Sequence, residues 1–321
     1  MLTNFPNGVS SFGIQLPAGD LPATKGRYIF VDYGVGNDGN DGLSPDKAVK
    51  TISQAKSMLT TNNDDVVILT GSSTHVVTAM VDLTENRCHF VGMDASGGRM
   101  FGQNAKVSMG VTDAATDIAA VKNTGVRNTF TNIKFMNSNT KDESLYTFAE
   151  GGEYSKFTNC EFYKDSDLNE TAAAEVLNNG DSAMWINCTF GSTANIIADD
   201  KIRPNMLLTA TLSGKKCRDN YIEGCLFFSK AGGTEHVAIY GANATDVERM
   251  FLVKDSVFYN NILSAATPAH AVGFGFAQTE GAVILKNCTS VDHVVMAQAA
   301  MNIYVDGAVP TFATTGVSVA A

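Results

Sequence analysis

From about Phe130 to Ser290 the apolar positions fall into one short phrase that occurs six times. Three copies are clear: Phe130-Thr131-Asn132-Ile133-Lys134-Phe135, Phe157-Thr158-Asn159-Cys160-Glu161-Phe162 and Trp185-Ile186-Asn187-Cys188-Thr189-Phe190. Three are looser: Ile222-Glu223-Gly224-Cys225-Leu226-Phe227, Val253-Lys254-Asp255-Ser256-Val257-Phe258 and Leu285-Lys286-Asn287-Cys288-Thr289-Ser290. Measured at the fourth position, the intervals are 27, 28, 37, 31 and 32 residues. A repeat of this length means a solenoid, a propeller or an array.

The phrase also dictates a bend. In an unbroken strand side chains alternate, so Asn159 would share a face with Phe157 and oppose Cys160 and Phe162. A corner at Asn159 turns Phe157, Cys160 and Phe162 inward together. Asn and Gly tolerate the left-handed backbone such a corner needs, and Asp does so to a lesser degree. The six corner positions are Asn132, Asn159, Asn187, Gly224, Asp255 and Asn287, all of these types. Stacked corners place parallel strands about 4.8 Å apart and let Asn side chains hydrogen-bond along the stack. Amphipathic helical patterns are missing from the repeats, and about 30 residues barely hold a four-stranded propeller blade. The expected fold is all-β, a parallel β-helix.

Before the repeats, Tyr28–Asp32 reads as a strand, followed by a Gly/Asn/Asp-rich loop. Ser44 and Pro45 then suggest a helix start. That helix would carry Ala48, Ile52, Ala55 and Leu59 on one face and cap the open end of the stack. The solenoid is expected over 65–302, preceded by a capping region at 27–64. Residues 1–26 and 303–321 are expected to be extended terminal segments. The first of these reads as a docking arm with Phe5, Phe12, Ile14 and Leu16 as apolar anchors. The longest insertion between repeats lies around Ala194–Leu212, on the side where solenoids place binding loops.

An apolar content of 44% supports a core for all 321 residues, and the net charge of −10 argues against nucleic acid as a partner. No run of 18 apolar residues is present to span a membrane. The opening residues show no basic segment followed by an apolar run, so export by a signal peptide is not expected. Of six cysteines, Cys160, Cys188, Cys225 and Cys288 share the inward repeat position. They read as buried reduced thiols rather than disulfides, and no spacing suggests a metal site. Asp32, Asp38 and Asp41 invite a calcium reading, but the loop lacks the EF-hand order; a solvated turn explains it as well.

The combination of Tyr28–Asp32, Gly39-Asn40-Asp41-Gly42, Ser44-Pro45 and Thr51-Ile52…Ala55, together with the repeats, resembles right-handed β-helices of the pectate-lyase-like superfamily. The resemblance covers roughly residues 28–295. The phrase Phe5-Pro6-Asn7-Gly8-Val9-Ser10-Ser11-Phe12-Gly13 resembles the start of small β-helical structural proteins of tailed phages. That second resemblance implies a virion component, with a capsid decoration or cement role on the head surface. It also implies the major capsid protein or other virion proteins as partners, and a homo-oligomer, with a trimer favoured.

Enzymes of that superfamily require a test of the residues. Glycoside hydrolysis needs two opposed carboxylates. The Asn-Thr-Asp and His-Gly motifs of polygalacturonase-like enzymes do not occur here. Asp199 and Asp200 with Arg203 are the one acid–base grouping, and a solvated acidic turn with a surface ion pair accounts for it. His75, His89, His236, His270 and His293 lie apart and read as surface or hydrogen-bonded polar residues rather than bases. The expectation is therefore a non-enzymatic virion protein with no cofactor. The alternative is a tail spike or fibre that binds, and could cleave, host polysaccharide.

Overall fold

The computed structural model describes residues 9–11, 14–16, 24–71, 73–93, 102–110, 116–139, 144–164, 173–192, 197, 202–209, 212, 214–231, 233–261, 267–275, 279–298 and 302–306. Each coil of the chain contributes one short strand to each of three parallel sheets. Sheet I has ten strands, and sheets II and III have eight each. The chain is a right-handed parallel β-helix, as the corner pattern and the first resemblance lead one to expect. Repeated phrases stack in register: Phe130 pairs with Phe157, Phe157 with Trp185 and Trp185 with Ile222 in sheet I. In sheet II, Phe135 pairs with Phe162, Phe162 with Phe190 and Phe190 with Phe227.

Register converts repetition into a core. In sheet I the ring centroids of Phe90, Phe130, Phe157 and Trp185 follow one another at 5.3, 4.9 and 3.8 Å, all nearly parallel. In sheet II the rings of Phe135, Phe162, Phe190, Phe227 and Phe258 stack at 5.4, 5.3, 4.8 and 4.8 Å. These distances approximate the spacing of parallel strands, so the ladder sets the stacking. Phe148 enters from sheet III edge-on, with its centroid 5.1 Å from Phe130 and 5.0 Å from Phe135. Among the described residues the interior along these stacks is apolar and closed; Phe148, Phe157, Phe162, Trp185 and Phe190 are fully buried.

The start of the solenoid differs from expectation. Ser44 and Pro45 open only a short 3-10 turn, Pro45–Lys47, and Ser44 makes no side-chain cap. The chain then extends, because Val49 donates to the Phe30 carbonyl and its own carbonyl accepts from Asp32 N–H. The helix proper, α1 (Ile52–Met58), begins later, with Thr51 accepting from Gln54 N–H. Pairing with the strand β3 (Tyr28–Val31) thus interrupts what the sequence pattern joins. Ile52 and Ala55 of α1 are buried against the first coils and close that end.

At both ends the sheets reach further than 65–302. β3 pairs with Val66–Leu69 as the first rung of sheet I, and Ile303–Val305 pairs with Val283–Leu285 as the last. Ahead of the solenoid, β1 (Val9–Ser11) and β2 (Ile14–Leu16) form an antiparallel hairpin with Val9 opposite Leu16. The hairpin forms a sheet of its own. Phe5 and Phe12 lie outside the described residues, and the Ile14 and Leu16 side chains likewise.

Candidate functional site

The corners between sheets I and II are built from the repeated phrase. Asn132, Asn159, Asn187, Gly224, Asp255 and Asn287 have φ of 57, 51, 52, 62, 50 and 50°. Each corner N–H is spent on the next coil, for example Asn132 N–H to the Thr158 carbonyl and Asn159 N–H to the Ile186 carbonyl, both at 3.0 Å. Side-chain bonds run along part of the stack. Asn159 Nδ2 donates to Asn132 Oδ1 at 3.2 Å, and Asn287 Nδ2 to Asp255 Oδ1 at 2.6 Å. Between them the run is broken at Gly224, where a Cβ would lie 2.5 Å from Asn187 Oδ1.

Inside the same corners lie the thiols. Cys160, Cys188 and Cys225 are buried, and all six cysteines are free. Burial pushes the Cys160 and Cys188 thiols well above their ordinary value, so neither offers a thiolate nucleophile. Cys288 is only half-buried, because it sits on the last full coil.

A second line of corners, between sheets III and I, carries buried polar groups that the sequence reading missed. Register places Asn123, Glu150 and Asn178 on successive coils, all fully buried. Asn123 Nδ2 donates to Glu150 Oε2 and to Ser155 Oγ, both at 2.9 Å. Glu150 Oε1 accepts from Gly152 N–H at 2.7 Å and from Ser155 at 3.0 Å. Asn178 Nδ2 continues to Asn220 Oδ1 at 3.2 Å. Burial outweighs these donors and raises the Glu150 carboxyl to about 7. The signal was present: Asn123-Thr124-Gly125, Glu150-Gly151-Gly152 and Asn178-Asn179-Gly180 recur at 27 and 28 residues, the intervals of the main phrase.

The insertion side holds the densest ionisable cluster. Asp199 and Asp200 lie outside the described residues. Arg203, expected at the surface, is 3% exposed; it lines a cavity with Lys164 (1%) and Glu175 (7%). Glu175 Oε2 accepts from the Lys164 backbone N–H at 2.6 Å, and Lys164 Nζ donates to the Ser144 carbonyl at 2.8 Å. Burial, with the Arg203 charge beside it, brings Lys164 down to about 7, while burial raises Glu175. The insertion itself explains the closure. Ile197 bridges to Ala231, and Met206–Leu208 joins sheet III, folding the segment onto the solenoid. The cavity holds about 10 Å³, room for one water. A sugar needs a cleft tens of times larger.

The histidines serve the scaffold. His75 Nε2 meets the Thr70 carbonyl at 2.8 Å, and His236 Nδ1 lies 3.2 Å from the Ile202 and Arg203 carbonyls. Both are 1% exposed rather than superficial, because neighbouring coils cover them, and burial lowers His236 to about 3. His293 Nδ1 is 3.1 Å from both Ser290 Oγ and the Val291 carbonyl. The carbonyl requires a donor at Nδ1, so that nitrogen cannot take a proton from Ser290. In the Gly/Asp loop each carboxylate is turned to its own backbone. Asp32 accepts from Gly34 N–H (2.9 Å), Asp38 from Lys50 and Thr51 N–H (2.8 Å each) and Asp41 from Leu43 N–H (3.0 Å). Among the described residues no group of three or more His, Cys, Asp or Glu could hold a metal ion. No described helix is long and apolar enough to cross a membrane.

No protein family and no curated protein matches the chain. Solved structures do. Pectate lyase Pel9A superimposes with a TM-score of 0.59 at 11% identity, over 90% of this chain and 74% of that one. A pectin methylesterase variant in complex with a hexasaccharide gives 0.57 at 10% identity, over 91% and 93%. ORF18 of Geobacillus virus E2 gives 0.43 at 10% identity, over 87% and 61%, too loose to support a comparison. At about a tenth identity the first two establish a shared β-helix and nothing of activity.

Proposed function

We propose that this chain is a non-enzymatic structural protein of a tailed-phage virion, decorating or cementing the head lattice through its terminal segments and acting as a homo-oligomer, with a trimer favoured. One observation carries the non-enzymatic part. The acid–base cluster on the insertion side, the place where a β-helix of this kind would work on a glycan, closes around a space of about 10 Å³. The buried Glu150, His75 and His236 are held within the scaffold by their neighbours. The virion part is supported by the phrase Phe5–Gly13 and its likeness to the start of phage β-helical structural proteins. A rigid rod with its backbone groups paired coil to coil also suits a lattice component, since it presents few sites for local opening.

The test is the copy number of this chain in purified particles of the phage that encodes it. Hundreds of copies per particle support decoration of the lattice. A few to a few dozen place it at the tail or a vertex and favour the spike or fibre alternative. Its absence from particles overturns both, and glycan cleavage by the purified protein is then the next measurement.

A further inference from the structure

The outer face of sheet I changes character along the solenoid. Because Phe130, Phe157, Trp185, Ile222, Val253 and Leu285 point inward, the residues beside them in each strand point out. One outward row, traced by register, begins with His89, Thr129 and Lys156. It continues as Met184, Tyr221, Leu252, Ile284 and Tyr304 on five successive coils. Scattered surface apolar residues need no explanation, but an unbroken row over about 19 Å does. Met184 is 39% exposed, and the other four are half-buried, largely by one another.

The other two outer faces are already occupied by the chain itself. On sheet II, Tyr163 and Phe228 line the cavity closed by Ile197. On sheet III, Leu177 and Leu207 are buried with Leu212 packed over them. At the first coils of sheet I the outward Val66, Ile68 and Val91 are buried too. The row from Met184 to Tyr304 is the continuous apolar strip left uncovered among the described residues.

Its borders point to the occupant. Glu223 pairs with Lys254 at 2.6 Å and Lys254 with Asp255 at 3.2 Å; Asp219 pairs with Arg249, and Asp181 with Arg218. Acid is matched by base along this face, whereas the chain as a whole carries −10. Two copies therefore repel through most of their surfaces and least through this one. A basic partner would instead be drawn to the acidic remainder of the surface. We infer that the outer face of sheet I from Met184 to Tyr304 is where a second copy of this chain packs, side by side along the solenoid. The inference deepens the oligomeric part of the reading above by giving it a surface, but it stands on this face and not on the virion assignment.

Sedimentation equilibrium of the full chain tests it. The wild type should show a multiple of 34.1 kDa. Leu252→Glu combined with Ile284→Glu should bring it to the single-chain mass while the far-UV spectrum stays that of a β-helix. Thr129→Glu, in the polar stretch of the same row, should leave the mass unchanged. Should the double variant fail to fold, Leu252→Cys in a Cys288→Ser background should crosslink between chains where Thr129→Cys does not. A single-chain mass for the wild type at about 100 µM overturns the inference. So does a multimer that survives in a folded double variant, or crosslinking at 129 in preference to 252. None of these results bears on copy number in particles, so the two readings fail separately.

Discussion

Glu150→Gln isolates one ionisation in the buried corner network. Glu150 is fully buried; its oxygens accept from Gly152 N–H, Ser155 and Asn123, and Lys215 lies close enough to favour the charged form. Burial outweighs all of these and lifts the carboxyl from 4.5 to about 7. The native state thus holds this proton more tightly than the unfolded chain does. The stability it confers is complete below pH 4.5 and is lost progressively as pH rises through about 7. At 1.36 kcal/mol per pH unit the gap amounts to ~3 kcal/mol. Gln cannot ionise, so its pH profile should be flatter than wild type by that amount. It also presents an N–H toward Asn123 Nδ2 where Oε2 accepted, a fixed cost of ~1–3 kcal/mol at every pH. Urea unfolding of both proteins across the acidic-to-neutral range reads the difference directly. Parallel curves, with a constant offset between wild type and variant, would refute the claim that folding perturbs this carboxyl.

Three further outcomes follow from the stacked core and its corners. Gly224→Ala should destabilise by ~1–2 kcal/mol or more, since φ is 62° and the new Cβ meets Asn187 Oδ1; Asn159→Gly should cost far less, and thermal melts separate the two. Trp185→Ala, which removes a ring stacked 3.8 Å from Phe157, should cost ~3–5 kcal/mol in a denaturant titration; Trp185→Phe should recover most of it, because the indole N–H has no partner to lose. Titration with a thiol reagent should show Cys288 as the first of the six cysteines to react in the native protein, and all six after unfolding. Reductant should leave the melting temperature unchanged, because the six thiols are free.

The fold was legible because its information is local and repeated. A phrase of six residues carries two inward apolar strands and a corner residue able to take positive φ. Repetition at about 30 residues then fixes which Phe lies over which, since parallel strands stack in register. The second line of corners was equally local, written as a polar residue two before a glycine at the same intervals, and its polar character concealed its burial. Other features depend on what covers a residue. Val49 leaves the helix because β3 offers it a strand partner. Arg203, Lys164 and Glu175 share one closed cavity because the insertion folds back through Ile197 and Met206–Leu208. Met184, Tyr221, Leu252, Ile284 and Tyr304 lie at irregular intervals in the chain and become a single row through coil-to-coil register. Sequence alone determined the corners, the inward positions and hence the β-helix, because each is settled within one coil. Only the tertiary structure decided which charged groups are buried and which outer face stays open, because both depend on residues brought together from different coils.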